Sequence, residues 1–192
     1  MKIKYNAPTV LTYSIFSAIV LMLSLYLLPN LNKALFMVPG RSAFSFGSPL
    51  DWFRLFSHVA GHADWTHLIS NFALILLIGP ILEELYGSLS MLLMIAITAL
   101  VTGLLNALFF SSGLMGASGV AFMMVLLISF TNFKRGEIPL TFLLILVLYL
   151  GRELLNAIVA PDNGISEFAH VAGGFCGSLF GFFRPTKKVL VE

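Results

Sequence analysis

The sequence predicts an all-α membrane protein: a six-transmembrane-helix bundle with a long, partly helical first outer loop. Three observations lead there. Of the 192 residues, 58% are hydrophobic and only 10% are charged, whereas a soluble domain carries roughly 25% charged residues. No charge occurs between Lys4 and Lys33, or between Glu84 and Lys134, and an uncharged apolar run of about 18 residues is long enough to cross a bilayer. Six apolar segments can be drawn, over residues 9–28, 67–85, 89–110, 118–133, 138–160 and 168–183.

The first segment follows Lys2 and Lys4, as a secretory leader would. Its length, the lack of a small-x-small cleavage pattern and the Pro29-Asn30 that closes it argue for a retained span. The long stretch 29–66 carries Pro39-Gly40 and Ser48-Pro49 turn signals and an aromatic-rich run over 50–56. That mixture predicts short helices lying at the membrane interface, where Trp52 and its neighbouring phenylalanines are at home. The fourth segment is short. Sixteen residues rise about 24 Å, against roughly 30 Å of hydrocarbon. Its helix is therefore expected to begin below the outer surface, with 111–117 dipping in as irregular backbone around Gly113 and Gly116. Such backbone is tolerated at depth only when it is buried in protein or lines a wet cavity, so a water-filled pocket above Ser118 is expected.

With both termini inside, the inner face receives Lys2, Lys4, Lys134, Arg135, Arg184, Lys187 and Lys188, and the outer face Lys33, Arg41 and Arg54. That excess satisfies the positive-inside rule and sets the expected orientation. No internal repeat of the transporter kind is present, so 1–192 reads as a single membrane-embedded domain. The net charge of +2 gives no reason to expect a nucleic-acid partner. Cys176, the only cysteine, cannot form an intramolecular disulfide.

Gly116-Ala117-Ser118-Gly119 puts a serine between glycines at the start of a helix. Unpaired N–H groups and the positive dipole end there suit a developing oxyanion, although an ordinary capping serine has the same pattern. His170 lies in the last apolar segment, where ionisable residues are costly and usually functional. Beside it, Ala169, Gly173, Gly177 and Gly181 form a small-residue stripe that lets two helix backbones approach closely. Imidazole is the usual base for a serine that is inert at neutral pH. His58, His62, His67 and Asn71 precede or open the second span. His67 and Asn71, four apart, share a helix face, as His58 and His62 would if helical. The run 58–62 lacks the glutamate of a zinc-protease H-E-x-x-H, so no metal is assigned. Donation to an oxyanion is the alternative role for His67 and Asn71. Glu83, in Gly79-x-x-x-Glu83-x-x-x-Gly87, reads as a tie between helix ends.

Taken together, Gly116-Ala117-Ser118-Gly119, Ala169-His170-x-x-Gly173-x-x-x-Gly177, the His58…His62…His67…Asn71 series, Gly79…Glu83…Gly87 and Phe53-Arg54 resemble the rhomboid intramembrane serine proteases. The resemblance runs from the first loop through the last helix and is similar to a minimal bacterial-type six-helix member without extra domains. It implies that Ser118 is the nucleophile and His170 the general base and acid. It further implies an oxyanion hole from His67, Asn71 and the Ser118 N–H, and a structural, lipid-facing Arg54. The partners it implies are transmembrane protein substrates and membrane lipid, with no cofactor, in a bacterial inner membrane. The fifth span would act as a lateral gate. Two departures stand out: Phe53-Arg54 replaces Trp-Arg, and Phe122 stands where many members carry Tyr beneath the histidine ring. The alternative is a catalytically inactive relative that binds membrane clients, although such relatives usually lack the nucleophile or base and this chain has both.

Overall fold

The computed structural model describes residues 4–130, 140, 143–144, 147–148, 151 and 164–183. Every regular element among them is a helix. Helix α1 spans Pro8–Tyr26, with proline in its first turn, where no N–H is needed. Its own cap residue, Ala7, supplies no side-chain acceptor. The acceptor comes from α4 (Trp65–Tyr86) instead: the buried Glu83 carboxylate receives Thr9 N–H and Val10 N–H, each at 2.9 Å. Thr9 Oγ1 donates to the Ser88 carbonyl at 3.0 Å. One carboxylate thus caps a neighbouring helix and complements its positive end, which is the helix-tying role expected of Glu83.

Asp64 caps α4 by accepting the His67 N–H at 2.8 Å. Gly87, at φ 84, turns the chain from α4 directly into α5 (Ser88–Phe109), a left-handed conformation that favours glycine. Between α1 and α4 lie two short helices, α2 (Leu31–Leu35) and α3 (Pro49–Ser57), and a 3-10 turn, His58–Ala60. Ser48 caps α3. Asp51 and Leu55 face inward while Trp52, Phe53 and Phe56 are exposed, the amphipathic pattern of a helix lying at an interface. Arg54 holds loop elements together, in keeping with the structural half of the expectation for it. Its side chain is largely covered, paired with Asp51 at 2.6 Å, and donates from Nε (2.9 Å) and Nη2 (2.6 Å) to the Ala34 carbonyl. A guanidinium in an apolar setting satisfies its donors within the protein, and here it joins α3 to α2.

Helix α6 (Ser118–Phe130) is apolar on all sides because it is central. Val120, Met123, Leu126 and Leu127 are fully enclosed. It packs most extensively against α7 (Gly164–Phe183). Close approach there is enforced by glycine: a Cβ on Gly173 would lie 2.0 Å from the Gly119 carbonyl oxygen, and one on Gly177 2.1 Å from that of Met123. The small-residue stripe is therefore the α6–α7 seam.

Helices α1, α4 and α5 are each long and apolar enough to cross a membrane, while α6 and the Phe168–Phe183 part of α7 are shorter apolar helices. The first three predicted spans match α1, α4 and α5 to within two residues at either end. The fourth and sixth fall on α6 and α7. The fifth, 138–160, lies for the most part outside the described residues.

Candidate active site

The backbone before Ser118 is irregular but tightly held. Val38 and Leu114 form an isolated antiparallel bridge, Val38 N–H to Leu114 O at 2.9 Å and the reverse at 3.0 Å. Arg41 N–H donates to Phe110 O at 2.7 Å. Residues 38–41 of the first loop thus satisfy a segment that could not leave its polar groups unpaired in an apolar setting. Two further bonds hold its end: Gly116 N–H donates to the His58 carbonyl at 3.0 Å, and Ala117 N–H to His62 Nε2 at 3.3 Å. Gly116 sits at φ +132, and a Cβ there would lie 2.7 Å from His67 Nε2. Only glycine meets both conditions.

Ser118 opens α6 half-buried. One turn later, the Phe122 ring stacks on the His170 imidazole, centroids 4.3 Å apart and planes 2° from parallel. Residues four apart share a helix face, so Ser118 lies on the side of α6 that meets His170, one turn above the stack. The Gly119–Gly173 crossing fixes that approach. From α4, His67 lies against Gly116 and close enough to His170 for the two imidazoles to interact electrostatically. Asn71, one turn further along α4, is buried beside the same glycine, its Nδ2 3.9 Å from where a Gly116 Cβ would sit. Among the described residues that amide nitrogen has no hydrogen-bond acceptor. Four residues singled out from sequence, Ser118, His170, His67 and Asn71, thus converge from α6, α7 and α4 on the Gly116–Ser118 turn.

A family model, the Rhomboid domain, matches residues 49–186. The chain belongs to the rhomboid family. Among curated relatives, it is 22% identical over 132 residues to "Rhomboid protease GlpG" of Haemophilus influenzae, covering 67% of this chain and 68% of that one. It is 29% identical over 136 residues to "RHOMBOID-like protein 7" of Arabidopsis thaliana, covering 67% of this chain and 42% of that protein. Membership and the apolar helices together make this rhomboid an integral membrane protein.

The remaining histidines of this rhomboid, His58 and His62, lie ahead of α4. His58 lies in the 3-10 turn and His62 in the loop after it, so they share no helix face. His58 Nδ1 lies 3.3 Å from the Arg54 carbonyl and its Nε2 3.3 Å from Thr102 Oγ1. Burial pushes its pKa down to about 4. His62 is fully enclosed, and burial, aided by the nearby His67, lowers it to about 4 as well. Both rings therefore stay neutral near pH 7. Sequence reasoning missed Thr98, Thr102 and Asn106, all buried on one face of α5. Asn106 Nδ2 donates to Ser112 O at 3.1 Å. The signal was present: three polar residues at four-residue spacing in an otherwise apolar span. A cavity of about 450 Å³ lies between α1 and α5, lined by Thr9, Tyr13, Phe16 and Leu92 among others.

Proposed function

We propose that this rhomboid is an intramembrane serine protease that hydrolyses peptide bonds in or near transmembrane segments of membrane-protein substrates. Ser118 Oγ attacks the scissile carbonyl carbon while His170 takes the hydroxyl proton. The carbonyl oxygen becomes an oxyanion, which accepts hydrogen bonds from Asn71, His67 and the Ser118 N–H at the positive end of α6. The C–N bond breaks as His170 returns the proton to the leaving amine, which leaves an acyl-enzyme on Ser118. Water, deprotonated by His170, then releases the second product and restores the serine.

The observation that carries this reading is the Phe122–His170 stack one helical turn from Ser118. The Asn71 amide supports it, being a buried donor without an acceptor among the described residues: unsatisfied buried polar groups are uncommon, and a catalytic role is one of the explanations for them. The name of the Haemophilus influenzae relative points the same way. We extend the reading to a single domain of six spans in a bacterial inner membrane, with both termini cytoplasmic, on the apolar pattern and the Lys/Arg distribution. In this reading Ser118 lies below the outer surface, in a wet pocket, and residues 138–160 form the span that substrates pass.

The test is cleavage of a tagged single-span reporter in liposomes by the intact protein and by Ser118→Ala. Product from the intact protein alone supports the serine mechanism. Equal cleavage by both overturns it. Reporter that is bound but not cut by either favours the client-binding alternative.

A further inference from the structure

We infer that His62 is a positioning residue whose neutral imidazole holds the backbone leading into Ser118, and that protonating this ring releases it. The geometry admits one protonation state. Ala117 N–H points at Nε2 from 3.3 Å, so that nitrogen must present a lone pair. The ring proton is then on Nδ1, which faces the Ala60 carbonyl at 3.3 Å and can donate to it. Adding a second proton puts an N–H against the Ala117 N–H, and two donors repel.

The ring cannot turn aside to relieve that clash. His62 is fully enclosed; His67 meets it edge-on at 5.0 Å and Phe72 at 5.6 Å between centroids. Asn32 Nδ2 grips the His62 carbonyl at 2.7 Å. At Gly61, a Cβ would fall 2.5 Å from the Phe36 carbonyl oxygen and 2.8 Å from Met115 Cγ, so the backbone is fixed as well. What yields is the Ala117 amide, part of the turn that delivers the Ser118 N–H. The titratable neighbours are few. His67 of α4 opposes a proton on His62, and Asp64 at the α4 cap favours one. His58, in the preceding 3-10 turn, turns its ring to Arg54 and Thr102 instead. Burial weighs most, and the ring titrates near 4, below the range in which a less enclosed histidine changes state.

The importance of this release for turnover rests on the protease reading, but its detection does not. Hydrogen exchange of the segment around Ala117 would be followed by mass spectrometry from pH 6 to pH 3.5 in detergent, corrected for intrinsic rates. The full chain carrying Ser118→Ala, alone and combined with His62→Gln or His62→Leu, removes any dependence on catalysis. Glutamine can offer an acceptor in place of Nε2 and does not titrate; leucine offers none. Protection at Ala117 should fall about tenfold with acid when His62 is present, the worth of one hydrogen bond. With glutamine the fall should be smaller by that amount, leaving only what His58 contributes, and with leucine protection should be low throughout. A flat profile with His62 present, or the same fall with glutamine, overturns the inference. If the leucine variant does not fold, the histidine–glutamine comparison decides alone. The expected profile in a protein that cleaves no reporter would uphold the positioning role while the protease reading failed.

Discussion

The Phe122 ring lies flat on the His170 imidazole, 4.3 Å between centroids and 2° from parallel. It is the floor on which the histidine rests, and it comes from the helix that begins with Ser118. Offset or stacked aromatic contacts are worth about 0.5–1.5 kcal/mol beyond the area they bury. Phe122→Ala should therefore lower kcat on a membrane reporter by roughly two- to tenfold with little change in KM, and Phe122→Tyr should keep most of the rate. Equal rates for Ala and Phe would mean that the stack does not orient the histidine.

Asn71 should separate activity from stability. Its Nδ2 is buried without an acceptor among the described residues, and a buried donor left unpaired costs about 1–3 kcal/mol. Asn71→Leu should unfold no earlier than the natural protein on heating in detergent, while cleavage falls about 10²–10³-fold, as for the loss of an oxyanion donor. A variant that lost both together would point to a structural asparagine instead.

The α6–α7 seam should discriminate between neighbouring glycines. Gly177→Ala drives a methyl to 2.1 Å from the Met123 carbonyl oxygen, whereas Gly174→Ala meets nothing nearer than Leu126 at 3.5 Å. The first is expected to lower stability by about 1–3 kcal/mol or more, as overpacking does, and the second to be nearly silent. Thermal unfolding of both in one detergent checks this.

Acid should weaken the fold within a defined window. His58 and His62 are held neutral, near 4 against an ordinary 6.5, so the unfolded chain binds protons first as pH falls. Their contribution to stability is complete above about pH 6.5, declines as pH drops toward 4 and is lost below it. Each ring is worth on the order of 3 kcal/mol across that range. Unfolding midpoints measured between pH 7 and pH 4 should fall, and His62→Gln should flatten part of the slope.

Glu83→Ala removes the acceptor for two N–H groups of α1. A loss of about 1–3 kcal/mol is expected, with Glu83→Gln, which keeps one oxygen, intermediate. Chemical denaturation in mixed micelles would rank the three.

The long helices were legible from apolar runs with few charges, and the α6–α7 contact from the spacing Ala169, Gly173, Gly177, because both are properties of local sequence. Ser118, His170, His67 and Asn71 were legible as polar residues in or beside apolar segments, where little else explains their presence. What periodicity could not show was how the first loop behaves. The His58 carbonyl and His62 ring hold the Gly116–Ala117 amides, and such bonds between distant irregular segments leave no repeat to read. The partner of Arg54 was hidden for the same reason: its acceptor is a backbone carbonyl, Ala34 O, which every residue possesses and no sequence advertises.

The seam between α6 and α7 also sets a timetable. Ser118 and His170 sit on helices whose contact depends on Gly173 and Gly177 meeting Gly119 and Met123. The ribosome makes the serine some fifty residues before the histidine. A nascent chain that has inserted α1, α4, α5 and α6 holds the serine, with His67 near its turn, but not yet His170. In the protease reading the serine acquires its base only once α7 is in place, so cleavage would have to wait for the fold to close.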